Sequence, residues 1–206
     1  MDDKQTVFVV DDDEGVRDGL SLLLETIGQD YELFESAYDF LDSYDSSKRG
    51  CLVLDIRMPR MTGLDLQKKL IEMESRLPVI FITGHGDIPM AVEAMRRGAV
   101  DFIRKPFRES DLLDRVNEAL NMDDTAYQQA LGREALDGKL SSLSERERDV
   151  FERVADGQMN KVIAADLGIS ERTVEVHRGQ VMKKLGVKTL AQLVRMKIES
   201  ETAAAI

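Results

Sequence analysis

Short apolar runs alternate with amphipathic segments in the first 121 residues. Runs of strand length, three strong and two weaker, lie at 6–10, 51–54, 79–82, 31–34 and 100–103. Continuous apolar runs are typical of strands buried on both faces of a parallel sheet. Apolar residues at helical spacing predict helices near 14–27, 36–44, 62–74, 88–97 and 109–121. This alternation predicts an α/β fold, a (βα)5 flavodoxin-like domain with a parallel sheet in the order 2-1-3-4-5.

The C-terminal part of the chain has a different pattern. From residue 141 onward the spacing predicts helices only, near 144–156, 159–167, 170–185 and 189–200. Residues 122–140 lack a strong pattern: Met122-Asp123-Asp124-Thr125 resembles a helix end, and Gly132 and Gly138 interrupt the remaining stretch. We therefore predict a domain at 1–121, a partly helical linker at 122–140 and an all-α domain at 141–206.

Composition narrows the class of protein. The chain has 206 residues, of which 43% are hydrophobic and 33% charged, an ordinary globular mixture for two small domains. No apolar run approaches the roughly 20 residues that cross a bilayer, and the acidic start does not resemble a signal peptide. The single Cys51 excludes an internal disulfide and is expected to be a small buried residue. We expect a cytoplasmic protein with no membrane partner.

Charge is distributed unevenly. The net charge of −11 argues at first against nucleic acid as a partner. Within residues 158–197, however, bases outnumber acids, and the bases are Lys161, Arg172, Arg178, Lys183, Lys184, Lys188, Arg195 and Lys197. A local basic face can bind phosphates on a chain that is acidic overall.

Reactive side chains follow the predicted strands. Asp11-Asp12-Asp13 follows the first strand, Asp55 the third, Thr83 the fourth and Lys105 the fifth. Ligands of open α/β sheets bind beyond the carboxyl ends of the strands, so these residues are expected to share one cleft. Clustered carboxylates repel one another unless a cation neutralises them, and oxygen ligands favour Mg²⁺ or, in its place, Mn²⁺.

These residue types predict phosphoryl chemistry. Asp55 can act as a nucleophile and form an aspartyl phosphate. Asp12 and Asp55 would hold the metal and Asp11 would assist through water, while Lys105 adds positive charge and Thr83 a hydroxyl donor.

Other interpretations of the acids remain. Residues 11–14 could be an acidic first helical turn. An EF-hand needs alternating acids, whereas these are contiguous. A haloacid-dehalogenase-like phosphatase would suit Asp11-x-Asp13, but its nucleophile comes first and its acidic pair last, the reverse of the order found here.

The C-terminal helices predict a helix-turn-helix. Ser144 is a suitable N-cap with Glu147 at position N3, and Ser170 is placed to cap the longer helix after the Gly168 turn. Val174, Val181 and Leu185 should pack inward. The residues left to meet DNA are Arg172, Thr173, Glu175, Val176, Gly179, Gln180 and Lys183. The same pattern also occurs in an ordinary αα-hairpin.

Sequence blocks in both halves resemble known families. Val10-Asp11-Asp12, Leu54-Asp55-Ile56-Arg57-Met58-Pro59, Thr83-Gly84-His85-Gly86 and Lys105-Pro106-Phe107 are similar to the receivers of FixJ-like two-component response regulators. Asn160-Lys161-x-Ile163-Ala164 and Thr173-Val174-Glu175-Val176-His177-Arg178 resemble the LuxR-type DNA-binding domain of the NarL/FixJ family. The similarity extends over the whole chain. Within the third of these blocks, His85 would be an ordinary loop residue.

For the receiver, the resemblance implies a sensor histidine kinase as phosphoryl donor. It also implies that the Arg57 backbone carbonyl completes the metal shell and that Phe102 turns inward as a switch when Thr83 moves. The Lys105–Pro106 peptide would be cis.

For the C-terminal half, the resemblance implies a four-helix domain that binds promoter DNA and works with RNA polymerase, in a transcriptional regulator that is not an enzyme and that more often activates than represses. Its last helix, around 190–199, would support dimerisation. Phosphate contacts would come from Lys161, Arg178 and Lys183. The residues nearest the bases would be Thr173, Glu175, Val176 and Gly179.

The two halves need a coupling mechanism. We expect phosphorylation to favour a homodimer through a surface formed by Val92, Arg96, Arg97 and Asp101, which brings two DNA-binding domains together. The rival expectation is a receiver that signals by protein contact alone, with the C-terminal bundle as a docking module.

Overall fold

The chain folds into two compact units, residues 1–127 and 128–206. A computed structural model describes residues 4–84 and 88–204, so His85 and Gly86 of the third receiver-like block lie outside the described residues. Within those ranges, no helix combines the length and apolar character that crossing a bilayer requires.

The first unit contains a five-stranded parallel sheet in the order β2-β1-β3-β4-β5. The strands are β1 Thr6–Val10, β2 Tyr31–Phe34, β3 Gly50–Asp55, β4 Val79–Thr83 and β5 Asp101–Arg104. Its helices are α1 Glu14–Thr26, α2 Ala37–Ser43, α3 Gly63–Glu72, α4 Ile88–Arg96 and the part of α5 Glu109–Ser141 up to residue 127. The predicted fold class and strand order are confirmed.

The two faces of the sheet form separate cores because side chains alternate along each strand. One core includes Phe8, Val10, Leu52, Leu54 and Phe81. The other includes Val7, Val9, Cys51, Val53, Ile80 and Ile82. Both faces of the central strands are covered, which explains their continuous apolar runs. Cys51 is buried in the second core, and burial raises its pKa to about 12, with Asp123 adding to the rise, so it packs as an inert small residue.

The prediction that the fifth helix ends near residue 121 is wrong, because α5 continues to Ser141. The residues predicted as a partly helical linker are therefore helical throughout. Arg49 Nη2 lies 3.0 Å from Asp123 Oδ2, and Gln5 Nε2 donates to the same oxygen at 2.7 Å. The Arg49 guanidinium also lies 3.6 Å from the centroid of the Tyr127 ring. These contacts stabilise α5 as a helix at residues whose local sequence is typical of a helix end.

The second unit is an all-α bundle, as predicted. Beyond the end of α5, its helices are α6 Glu145–Ala155, α7 Asn160–Leu167, α8 Glu171–Leu185 and α9 Leu190–Ala204. Their shared core includes Val150, Phe151, Val154, Ile163, Val174, Val181, Leu185 and Leu193. Ser144 and Ser170 cap α6 and α8 as predicted, and Gly168 ends α7 in the left-handed conformation that permits the tight turn.

Candidate functional site

Two buried carboxylates and one ammonium group meet at the carboxyl edge of the sheet. Asp11 directly follows β1, Asp55 ends β3 and Lys105 follows β5. Lys105 Nζ lies 2.6 Å from Asp11 Oδ2 and 3.1 Å from Asp55 Oδ1. Asp11 is 1% exposed and Asp55 6%. Parallel strands carry these residues to one edge because every strand ends on the same side of the domain.

The turn after β1 holds Asp11 by hydrogen bonds to its side chain and its backbone. The backbone N–H of Asp13 donates to Asp11 Oδ1 at 3.0 Å, and the Asp13 side chain caps α1. Arg17 Nη1 donates to the Asp11 carbonyl oxygen at 2.7 Å. Sequence reasoning missed Arg17. The available signal was a cation in the first turn of a helix, where the macrodipole disfavours positive charge.

The loop between β3 and α3 packs tightly beneath Asp55. The Arg57 N–H donates to Asp55 Oδ2 at 2.6 Å, and the Gly63 N–H donates to the Ile56 carbonyl at 2.9 Å. A Cβ on Gly63 would lie 2.2 Å from the Asp55 carbonyl oxygen, so only glycine fits there. Met58 and Met61 are buried in the core below. The loop therefore holds both the backbone of Asp55, through the close approach of Gly63, and its carboxylate, through the Arg57 N–H.

Burial and charge act in opposite directions on the pocket. Burial raises the pKa of Asp55 above its ordinary value; the Lys105 ammonium opposes the rise, and the charge of Asp11 adds to it. Burial alone would lower the pKa of Lys105, but Asp11 and then Asp55 outweigh that effect and raise it. With both carboxylates ionised, the single ammonium leaves a net negative charge in the pocket.

This donor set suits a hard divalent cation. Carboxylate and carbonyl oxygens are the ligands Mg²⁺ prefers, and one or two protein carboxylates suffice because Mg²⁺ keeps several waters and binds substrate phosphates. Over residues 4–84 and 88–204 no set of three or more His, Cys, Asp or Glu side chains forms a ready-made cage. The residues present fit Mg²⁺ in its usual open manner of binding.

The other predicted pocket residues take different positions. Asp12 is exposed, whereas Asp11 and Asp55 are buried. Thr83 ends β4 and is 1% exposed, and its carbonyl accepts from the Lys105 N–H at 2.8 Å. Phe102 lies beside Phe81 across the β4–β5 pairing and is partly buried against the first core. The Lys105–Pro106 peptide is cis, as the resemblance implied.

The predicted dimer surface is only partly free of contacts within the chain. Val92 and Arg96 are exposed on α4. Arg97 Nη1 donates to the Leu64 carbonyl of α3 at 3.0 Å, and Asp101 forms an ion pair with Arg115 Nε at 3.0 Å. A dimer contact through Arg97 or Asp101 would therefore form either alongside these contacts with Leu64 and Arg115 or in exchange for them.

Helix α8 presents a polar face away from its core. Val174, Val181 and Leu185 are buried as predicted. The exposed residues among the predicted DNA contacts are Lys161, Arg172, Glu175, Val176, Gly179, Gln180 and Lys183. Val176 is 54% exposed, which leaves its methyl groups available to a partner.

Two of the predicted DNA contacts are held by neighbouring side chains. Arg178 Nη1 donates to Asn160 Oδ1 at 2.8 Å, which links α8 to the start of α7. Thr173 Oγ1 lies 2.7 Å from Ser170 Oγ at the cap of α8. Both side chains are half-buried, so their geometry is set before any ligand arrives.

Some of the bases counted in the C-terminal cluster pair with acids. Lys197 Nζ lies 2.6 Å from Asp156 Oδ1 and 3.0 Å from Glu152 Oε2. Arg195 Nε lies 2.7 Å from Glu199 Oε1. The count of charges along the sequence therefore overstates the positive charge available to a phosphate backbone.

Two families of known domains match this chain. Residues 7–117 match the response regulator receiver domain, and residues 141–197 match the bacterial regulatory proteins of the luxR family. The first match contains all the pocket residues, and the second contains α6, α7 and α8.

Whole relatives match as well. Response regulator protein TmoT of Ectopseudomonas mendocina is 46% identical over 95% of this chain and 89% of its own length. Transcriptional regulatory protein FixJ of Azorhizobium caulinodans is 43% identical over 100% of this chain and 97% of its own. The solved structure of response regulator StyR is 46% identical, with a TM-score of 0.89, and the match covers 95% of this chain and 99% of that one.

Proposed function

The chain belongs to the FixJ-like two-component response regulators, which join a receiver domain to a LuxR-type DNA-binding domain, and on this basis we propose that a phosphoryl group on Asp55 controls its binding to DNA. A sensor histidine kinase is the proposed donor. The proposed division assigns residues 1–121 to the phosphoacceptor, 141–206 to DNA binding and 122–140 to the connection.

The observation that carries this proposal is the position of Lys105 between Asp11 and Asp55. Its ammonium lies within 3.1 Å of both carboxylates, in a pocket at the switch point between β1 and β3. A structural ion pair needs one acid for one base. Here a second buried acid remains, and its charge favours the binding of a further cation.

The proposed reaction uses Asp55 as a nucleophile. A carboxylate oxygen of Asp55 forms a bond to phosphorus while the bond from phosphorus to the donor's imidazole nitrogen breaks, and that nitrogen retains the electron pair. In this proposal Lys105 pairs with the transferred oxygens, and the Thr83 hydroxyl donates to one of them. The Arg57 N–H holds the second carboxylate oxygen and orients the nucleophile.

The proposed ligands of Mg²⁺, or of Mn²⁺ in its place, are Asp11, Asp12, Asp55 and the Arg57 backbone carbonyl. When bound, the ion supplies positive charge against the negative charge that develops on the transferred phosphoryl group.

The proposed output is a DNA-bound homodimer that activates transcription together with RNA polymerase. Movement of Thr83 and Phe102 would change the surface containing Val92, Arg96, Arg97 and Asp101. A dimer tethers two DNA-binding domains, which raises the effective concentration of the second to about the millimolar range. The proposed phosphate contacts are Lys161, Arg178 and Lys183, and the proposed base contacts are Thr173, Glu175, Val176 and Gly179. Arg172 is a further proposed DNA contact.

Labelling tests the phosphoacceptor. Asp55→Asn should abolish labelling by a small phosphodonor such as acetyl phosphate. Asp45→Asn, which changes an exposed acid before the opposite end of β3, should label like the wild type. Persistent labelling of Asp55→Asn would place the nucleophile elsewhere. The phosphatase interpretation predicts turnover of a generic phosphomonoester, which the proposed regulator should lack.

Beryllofluoride tests the output. As a phosphate mimic in the presence of Mg²⁺, it should raise both the mass in solution and the affinity for a promoter duplex. No gain in either quantity would exclude the dimer switch. The docking-module alternative predicts no specific DNA affinity, whereas phosphate contacts require the affinity to fall steeply as salt rises.

A further inference from the structure

Glu147 occupies a core-facing position on α6 although it is charged. It lies on the same face as Val150, Phe151 and Val154, and its side chain is 5% exposed. Its role as the N3 residue of the Ser144 capping box requires no burial, since helix ends are normally capped in contact with water. A carboxylate in this position needs a compensating cation.

That cation is Lys184 of α8. Its Nζ lies 2.6 Å from Glu147 Oε2, and it also donates to the Ser142 carbonyl at 3.1 Å. The same Glu147 oxygen accepts from the Ser144 N–H at 2.7 Å. The pKa of Glu147 is lowered to about 2, and the hydrogen bond from Lys184 is the largest cause. One side chain of α8 therefore joins the start of α6 to the turn that follows α5.

The neighbouring Lys183 points elsewhere. Successive residues of an α-helix are separated by about 100° around its axis. Lys183 lies on the exposed face of α8 together with Val176 and Gly179. Lys184 instead lies one turn after Val181, which is buried. Adjacent lysines with the same chemistry thus have different surroundings.

We propose that Lys184 is a positioning residue, which with Glu147 sets the orientation of α8 for reading DNA and does not itself bind a DNA phosphate. This inference rests on the proposed function, because it requires α8 to be the helix that meets DNA. It removes Lys184 from the phosphate-binding set that charge along the sequence suggests.

Salt dependence distinguishes the two lysines. The probe is a duplex carrying the sequence that the full-length wild-type chain selects from a random library, and the comparison is a scrambled duplex of equal length. Lys183→Gln should weaken binding to both duplexes and reduce the slope of log affinity against log salt by about one. Lys184→Gln should leave that slope unchanged and lower affinity for the selected duplex alone, on the order of tenfold, as for one misaligned base contact.

Glu147→Gln separates the two possible roles of Lys184, because it removes the acid that holds Lys184 and leaves the lysine itself in place. Glutamine can still serve as the N3 residue of the capping box, so the variant retains the helix start even if Lys184→Gln fails to fold. If Lys184 is a positioning residue, Glu147→Gln lowers affinity for the selected duplex, and adding Lys184→Gln lowers it little further. Lys184→Arg, which keeps a cation for Glu147, should restore selective binding.

Two results would overturn the proposal. One is a salt slope that falls by about one in Lys184→Gln as in Lys183→Gln. The other is a gain of affinity for both duplexes in Glu147→Gln, which is expected if removing the acid frees Lys184 to bind phosphate. A wild-type chain that selects no sequence from the library would instead refute the proposed DNA-binding function, and this inference with it.

Discussion

The α-carbon of Gly63 faces the backbone of Asp55 so closely that a Cβ there would lie 2.2 Å from the Asp55 carbonyl oxygen. The opposing atom belongs to the backbone of a buried strand end and cannot move aside as a flexible side chain would. The residue proposed to accept the phosphoryl group is thus held by a glycine at the start of α3.

Gly63→Ala should destabilise the first unit by about 1–3 kcal/mol, because the added methyl group forces the β3–α3 loop away from Asp55. Chemical denaturation measures this loss, and labelling with acetyl phosphate should slow in parallel. The control is Gly19→Ala in α1, where the added Cβ meets no atom within 4 Å. That variant should be stabilised by up to about 1 kcal/mol through helix propensity. Equal stability of the two variants would contradict the argument.

Arg49→Met should free the part of α5 beyond residue 121. The substitution leaves Asp123, which is 7% exposed, without its cation and removes the contact with the Tyr127 ring. Breaking a buried ion pair costs about 3–5 kcal/mol. Hydrogen exchange of the amides of residues 122–127 should accelerate in the variant.

The matched control for Arg49 is Lys68→Met, which breaks an exposed i,i+4 pair with Glu72. Its effect should be within about 0.5 kcal/mol. If exchange at residues 122–127 is the same in Arg49→Met and the wild type, the helix does not depend on this cluster.

Lys105→Met should make the first unit less stable in a chelator and more responsive to Mg²⁺. Without the ammonium, Asp11 and Asp55 face each other buried and unpaired, at a cost of at most about 3–5 kcal/mol because protonation of Asp55 limits the loss. Mg²⁺ then meets a pocket in which no ammonium group competes for the carboxylates. The rise in Tm across a Mg²⁺ titration should be larger than for the wild type.

The double variant Lys105→Met with Asp55→Asn serves as the control for this metal effect. Removing one carboxylate should reduce the Mg²⁺-induced rise in Tm again. Identical rises in the wild type and Lys105→Met would show that the ion does not bind beside this ammonium.

Acid should loosen the start of α6 over a defined pH range. The pKa of Glu147 is lowered to about 2 by Lys184 and the Ser144 cap. An acid with a depressed folded-state pKa contributes stability above its unfolded value, near 4.5, and loses it as pH falls through the folded value. Amide protection in α6 should therefore decline between about pH 4.5 and 2.

Glu147→Gln is the reference for this titration. Its protection should be lower at neutral pH and should change less over the same acidic range, because the variant has no carboxylate to protonate there. A carboxyl resonance of Glu147 that titrates near its ordinary value would refute the coupling to Lys184.

The sequence by itself determined the fold class and that Asp11, Asp55 and Lys105 would meet. Continuous apolar runs identify strands covered on both faces, and parallel strands must deliver Asp11, Asp55 and Lys105 to the same edge. The caps at Ser144 and Ser170 were also predictable, since capping depends on residues within one helical turn. These features depend on the spacing of apolar residues and on the order of residues along the chain, both of which are read directly from the sequence.

Tertiary structure decided which side chains become partners. The sequence around Asp123 is typical of a helix end, but Asp123 pairs with Arg49, which is distant in the sequence. The position of Lys184 in a basic stretch suggests a phosphate contact, but in the structure it pairs with Glu147. Asp11 and Asp12 are adjacent acids, yet one is buried against Lys105 and the other is exposed. A linear pattern gives the face on which a residue lies. Burial and long-range pairing depend on which elements pack together, and they set the role of each charge.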